Sequence, residues 1–454
     1  MHKDKFYEEV NKASDIGISA CKYLWNNPEI SGSEEESSKY MSKILEENGF
    51  RIVWNDKVPH AFYAEHGEGS PVIAVIGEYD ALPALSQKVS ATQDPVTPGG
   101  AGHGCGHNML GSASLTASIA IAKALDAAGM QGTVRFYGCP EEETLVGKVK
   151  MLSCGMFDGC DAAISWHPMS ANMVYDSAYL ASAAMKFHFK GISAHAAAAP
   201  ERGRSALDAV ELMNVGSNYL REHTVDFSRI HYTTDSYGLP PNLVPDKASA
   251  WYVIRAPKME VVSDILRRIK LVAQGAAMMT ETEVSFELLS GCYEILPNHS
   301  FADLTYANLQ EAELPEFTEE ELKFASEIQS TLNPEVCGKD DALFEANGSP
   351  MDLGVRPRDL YQSSPLTASS DSGDVSWNMP MNLFTTACWP IGVAPHTWQA
   401  AASAGSSIGE KSMLYAARVI AGTACDLYSD SELLAKIKEE FESTGAVYTP
   451  MYEE

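Results

Sequence analysis

Basic residues are scarce in this chain. Across 454 residues, 33 Lys and Arg stand against 61 Asp and Glu, a formal net charge of -28 at pH 7. With no basic field there is nothing to attract phosphate, which argues against nucleic acid and anionic membrane as partners. Long apolar runs are also missing. The longest small-apolar stretch, 112–125, is rich in Ser and Ala and too short to cross a bilayer. The start, Met1-His2-Lys3-Asp4-Lys5, leads into a helical pattern with no apolar region, so no signal peptide is expected. Nine cysteines are scattered with no disulfide-framework spacing. A reduced cytoplasm is the expected compartment.

What is present is an ordinary globular composition, 45% hydrophobic and 21% charged, in a chain too long for one simple core. Apolar residues at helical spacing (Phe6, Val10, Ala13, Ile16, Leu24) predict a first helix. A second follows Ser31-Gly32-Ser33, and Glu36, three residues after Ser33, fits a capping box. Val72-Ile73-Ala74-Val75-Ile76-Gly77 is continuous and apolar, as in a strand buried on both faces. Further strands are expected at 133–138, 162–166 and 383–389, with helices at about 110–128, 145–154 and 407–427. This alternation predicts an α/β fold, a mostly parallel sheet flanked by helices. Near residue 183 the character changes to an alternating strand. A β-α-β-β-α-β order then runs to about 289, as in a ferredoxin-like α+β sandwich. The expected organisation is a discontinuous catalytic domain, 1–182 and 294–454, with an inserted domain at 183–293. Residues 299–360 read as helical and irregular and carry little information.

The chemistry gathers just past the predicted strands, where open α/β sheets bind ligands. Gly102-His103-Gly104-Cys105-Gly106-His107-Asn108 brings a thiol and two imidazoles into a loop that glycines let curl. Cys105, His107, Glu143, His167 and His396 are five candidate metal ligands at one sheet edge. Five are too few for two closed four-ligand cages. They suit two ions with a shared ligand and open positions, and Cys105 is the natural bridge. Neighbouring Glu142 and Glu143 diverge on an extended chain, so one can ligate while the other serves as general base. A closed structural metal site fits less well, because a spare carboxylate lies beside the ligands.

Four segments carry a resemblance in their order along the chain: Gly102 to Asn108, Gly138-Cys139-Pro140-Glu141-Glu142-Glu143, Trp166-His167-Pro168 and Pro395-His396-Thr397-Trp398-Gln399. Together they resemble the M20 metallopeptidases, in particular the amidohydrolase branch (subfamily D), where Cys replaces a bridging Asp. Gly138-Cys139-Pro140, Asp371 to Ser376 and Trp398-Gln399 are similar to its aminobenzoyl-glutamate utilisation protein B group. The resemblance implies two divalent ions in each protomer, Mn²⁺ first and Zn²⁺ second. Cys105 would bridge them, His107 and His167 would complete one site, and Glu143 and His396 the other. Glu142 would be the general base, moving a proton from the attacking water to the leaving amine. Asp80 would support the metal site from behind. His195, in the inserted domain, would reach the site of the partner protomer and polarise the scissile carbonyl. Asn242 and Arg255 would grip a substrate carboxylate. His103 has no ligand role in the resemblance and is expected as support.

The implied substrate is an N-acyl amino acid or an acyl-glutamate such as p-aminobenzoyl-glutamate. Asn108-Met109-Leu110 stand where the auxin-conjugate branch carries Asp and a further His, which argues against auxin conjugates and hippurate. A homodimer is expected, and a homologous second chain is a further expected partner. The alternative reading is a non-catalytic or regulatory M20-like component of a hetero-oligomeric amidohydrolase.

Overall fold

The computed structural model describes residues 2–235, 238, 240–333, 349–358 and 367–452. In chain order the strands are β1 (Arg51–Trp54), β2 (Phe62–Glu68), β3 (Val72–Glu78), β4 (Gly132–Cys139), β5 (Ala162–Met169), β6 (Met173–Tyr175), β7 (Ala181–Lys190), β8 (Arg229–Asp235), β9 (Lys247–Ala256), β10 (Glu283–Cys292) and β11 (Met381–Ala387). The chain divides into two compact units. One comprises Met1–Ser177, Leu296–Ser363 and Val375–Tyr448; the other Ala178–Ile295, Ser364–Asp374 and Thr449–Glu454.

The larger unit is built on a seven-stranded sheet in the order β1-β2-β4-β3-β5-β11-β6. Its centre, β4-β3-β5-β11, is parallel throughout. Both edges are antiparallel, β1-β2-β4 on one side and β6 against β11 on the other. The continuous apolar run of β3 reflects its central place, since Ile73 to Ile76 are fully buried. β2 and β6 are not evident in the sequence pattern. β2 is half polar, and β6 has only three residues, so neither shows a clear period. Their pairing follows from the sheet edges they join.

Helix His107–Ala128 packs on this sheet and is buried along almost its whole length. Its Ser/Ala-rich surface lets other helices come close. A Cβ on Gly17 of helix His2–Asn26 would stand 2.0 Å from Thr116 Oγ1. Helix Ser407–Ser429 packs against both. The Ser33 capping box does not form. Helix Glu35–Glu47 is capped from outside by Glu29, whose carboxylate accepts from the N–H groups of Glu36 (3.1 Å) and Ser37 (2.7 Å). The start of helix 107–128 also lies three residues earlier than its apolar period suggests, which puts His107 on the first turn.

The smaller unit is a four-stranded antiparallel sheet, β10-β7-β9-β8, packed with helices Ala206–Leu220 and Met259–Thr280. Its order is that of a ferredoxin-like sandwich. Its core is closed by Met185, Phe187, Phe189, Tyr252 and Ile254 from the sheet and Val262, Ile265 and Ile269 from a helix. Residues 334–348 and 359–360, within the irregular 299–360 stretch, lie outside the described residues. Among the described residues no helix is long and apolar enough to cross a membrane.

Candidate active site

Four adjacent parallel strands deliver the candidate residues to one edge. Glu78 ends β3 and Asp80 follows it by two residues. Glu142 and Glu143 follow β4, His167 lies near the end of β5, and His396 lies in the loop after β11. Cys105 and His107 enter on the loop that starts helix 107–128. Gly106 makes that loop turn with φ 77°, a conformation glycine adopts without strain. Non-glycine residues also take left-handed backbone here: Glu141 (φ 57°) and Leu145 (φ 59°) flank the two carboxylates, and His396 has φ 64°. Each costs on the order of 1 kcal/mol and is held by its surroundings. The Glu141 N–H donates to Glu34 Oε1 at 2.8 Å, and the His396 N–H donates to Gly104 O at 2.8 Å.

Two three-residue groups converge: Cys105, His107 and His167, and Cys105, Glu143 and His396. In each, the donor atoms lie within 4.8 Å of one another. Cys105 Sγ is 3.4 Å from His167 Nε2, and Glu143 Oε2 is 3.3 Å from His396 Nε2. Bonds of 2.0–2.3 Å at a tetrahedral angle separate two donors on one ion by about 3.4 Å. The imidazoles are oriented from behind. His107 Nδ1 is 2.8 Å from Asp80 Oδ1, and His167 Nδ1 is 2.8 Å from Pro168 O. Each Nδ1–H donates there, which leaves Nε2 with its lone pair toward the centre, the usual arrangement behind a metal-binding histidine. Asp80 Oδ2 accepts from the Glu143 N–H at 2.9 Å and from the Ser31 hydroxyl at 2.8 Å, so one carboxylate ties both groups together.

His107 Nε2 and Glu143 Oε1 are buried with no hydrogen-bond partner. Such atoms are expensive unless something satisfies them, and a cation at the centre would satisfy both. The electrostatics agree. Burial would lower His107, but Cys105 and Asp80 outweigh it and hold the imidazole well above its ordinary range, so the centre favours positive charge, which a bound ion would supply in place of the proton on Nε2. Burial would raise Asp80, yet His107 and the donors on its oxygens hold it low. Glu143 is likewise lowered against burial by His396 and His107. Burial, with the charge of Glu143, pushes the Cys105 thiol well up, so ion binding there displaces a proton. Burial, with His107 nearby, lowers His167 to about 4, keeping it neutral and able to ligate. The residues present therefore fit two divalent ions.

Glu142 is also buried, its Oε2 3.9 Å from His107 Nε2. His103 does not join the donor groups: its Nε2 donates to Leu24 O at 3.1 Å, and burial lowers it to about 4. The other three candidates lie in the smaller unit. His195 is exposed, and its Nδ1 accepts from the N–H groups of Ala197 and Ala198 (3.3 and 3.1 Å), so Nε2 carries the proton. Asn242 is bound beside it, its carbonyl accepting from the Ala196 N–H at 3.0 Å. Arg255 stands near the far end of β9, with Nη1 donating to Thr367 O at 3.3 Å and a buried Nε with no partner. Eight residue steps along the strand separate Lys247, at the His195 end, from Arg255, roughly 26 Å. Sequence reasoning placed Glu78 just past a strand but gave it no role, and it did not single out Lys148, whose ammonium lies 2.7 Å from Glu78 Oε1. The signal for Glu78 was its period-two spacing from Asp80, which turns both to one face.

A family model described as a peptidase dimerisation domain, M20_dimer, matches residues 181–277. The B component of the p-aminobenzoyl-glutamate hydrolase of Escherichia coli (strain K12) is 41% identical over 432 residues, covering 92% of this chain and 90% of that protein. The A component of the same bacterium's hydrolase is 26% identical over 243 residues, 51% of this chain and 55% of that one. A crystal structure of a dinuclear metal-binding M20 peptidase from Bacillus subtilis superposes with a TM-score of 0.60 at 17% identity, covering 92% and 99% of the two chains, a likeness of fold. Sequence similarity along nearly the whole length, with the same fold and a matching inserted domain, establishes that the chain belongs to the M20 family of metallopeptidases and amidohydrolases.

Proposed function

We propose that this amide-hydrolysing M20 enzyme cleaves an N-acyl amino acid or a p-aminobenzoyl-glutamate-like substrate with a free carboxylate. The observation that carries the proposal is the pair of donor groups sharing Cys105, with Glu142 buried beside them. Two divalent ions held there would polarise the scissile carbonyl and activate the attacking water. Mn²⁺ is the first candidate and Zn²⁺ the second, the thiolate favouring Zn²⁺.

The chain's own residues supply the rest. Glu142 takes a proton from the attacking water and delivers it to the leaving amine. Asp80 holds His107 in its ligating tautomer. His195, protonated on Nε2, donates to the carbonyl oxygen as it gains charge. Asn242 and Arg255 bind the substrate carboxylate, Arg255 as a bidentate clamp. The distance along β9 between the His195 end and Arg255 suits a site served by two chains, with His195 and Asn242 from the partner. That partner is a second copy or, given the similarity to both components of the E. coli hydrolase, a homologous chain. A cytoplasmic location is part of this reading, in keeping with cysteines scattered along the sequence without a disulfide-framework spacing. The non-catalytic alternative is disfavoured because no ligand and no base is missing from the expected set.

Metal-stripped protein should be assayed on p-aminobenzoyl-glutamate and a panel of N-acyl amino acids, with and without added Mn²⁺ or Zn²⁺. Ion-dependent release of the amine from at least one substrate is expected. No turnover of any substrate, alone or with a homologous second chain, overturns the proposal.

A further inference from the structure

A third group of donors meets at His107: Glu78, His107 and Glu142 also lie with their donor atoms within 4.8 Å of one another. Glu78 Oε2 is 3.4 Å from His107 Nε2, the same spacing as Cys105 Sγ to His167 Nε2. Its other oxygen, Oε1, is 2.7 Å from the ammonium of Lys148, a lysine with no exposed surface. Glu78 is itself 2% exposed. A buried carboxylate gripped on one oxygen by a buried ammonium has little rotational freedom. Its second oxygen is therefore presented steadily to the fully buried, unpartnered Nε2 of His107.

We infer that Glu78 is a further protein ligand, binding the ion held by His107, with Lys148 balancing its charge and fixing its rotamer. The inference rests on the two-ion reading above. Two donors about 3.4 Å apart fit one ion at ordinary bond lengths and a tetrahedral angle, and the third member, Glu142, stays available as base. Glu78 Oε2 and His107 Nε2 face each other in the interior at 3.4 Å without a hydrogen bond, an arrangement that an ion bound by both would satisfy. Asp80 already takes the Nδ1–H of that ring.

The test is stepwise binding of Mn²⁺ and Zn²⁺ to the metal-stripped full-length protein, with the visible spectrum of the Co²⁺-loaded form, which reports ligand number. In Glu78→Gln, one of the two ions should bind ~10–100-fold more weakly while the other is unchanged. The Co²⁺ bands of the weakened ion should shift. Because Glu78→Gln leaves the buried Lys148 without this partner, the double variant Glu78→Gln/Lys148→Met, which removes both charges, is measured beside it. The same weakened ion and the same shifted spectrum in the double variant support ligation. Wild-type affinities and spectrum in either variant overturn it and make Glu78 a counter-ion of Lys148 alone. A wild-type protein that takes up a single ion overturns the two-ion reading, and Glu78 is then judged by whether Glu78→Gln weakens that ion.

Discussion

Asp80 and His107 meet 2.8 Å apart, Oδ1 to Nδ1, with both side chains fully buried. This contact selects which nitrogen of His107 faces the centre. Asp80 also receives the Glu143 N–H, so it orders one ligand of each donor group. Asp80→Asn should lower the affinity for at least one ion ~10–100-fold. Equilibrium metal titration checks this, and unchanged binding of both ions would show that the tautomer is set elsewhere.

Glu142 lies beside the donor groups as the expected base. Glu142→Gln should lower kcat by a factor on the order of 10²–10⁴ with metal content near that of wild type. Metal analysis beside steady-state kinetics separates the outcomes. Surviving turnover removes Glu142 as base, and lost metal makes it a ligand.

If His195 acts in the partner's site, two inactive variants should rescue each other. Mixing and reassociating Glu142→Gln chains with His195→Ala chains leaves one intact site in each mixed dimer, so activity should recover to about a quarter of wild type. No recovery in mixtures shown to contain mixed dimers would assign His195 to its own chain's site.

Glu34 is buried, with Oε1 accepting from the Glu141 N–H and Oε2 unpartnered. Burial, reinforced by the charge of Asp80, raises its carboxyl to about 8. Between pH 4.5, its ordinary value, and about 8, the unfolded chain loses this proton while the folded chain keeps it, so stability falls as pH rises. Glu34→Gln keeps an acceptor for Glu141 and removes the titration. Its gain in melting temperature should be small near pH 4.5, grow to about pH 8 and then level off. Melting of the metal-free protein across that range tests it; a gain that does not change with pH would refute the assignment.

Gly147 begins the helix that carries Lys148. A Cβ there would stand 1.7 Å from Pro140 O, a backbone atom that cannot move aside alone. Gly147→Ala should therefore displace the 140–147 turn, costing on the order of 3 kcal/mol and weakening metal binding through Glu143. Chemical denaturation and metal titration report the two effects, and a wild-type unfolding midpoint would count against so tight a contact.

The chain by itself determined its class and its alternation of strands and helices, and it nominated the candidate donors. β3 was legible because a strand buried on both faces must be apolar throughout. The ferredoxin-like unit was legible because its strands alternate and its helices keep their period. Cys105, His107, Glu142, Glu143, His167 and His396 stood out because reactive residue types cluster just past strand ends. Strand β2 and the edge strand β6 were not legible, since their pairing depends on neighbours distant in sequence. Ser33 looked like a cap, but Glu29 took the helix donors because the turn at 30–34 brings its carboxylate over them. Tertiary structure alone decided the nitrogen each imidazole turns inward, the joint grip of Asp80 on both donor groups, and the meeting of Glu78 with Lys148 across 70 residues. Those relationships are distances between side chains on different strands and helices. Local sequence can nominate such residues, but only packing sets the few ångströms on which their chemistry depends.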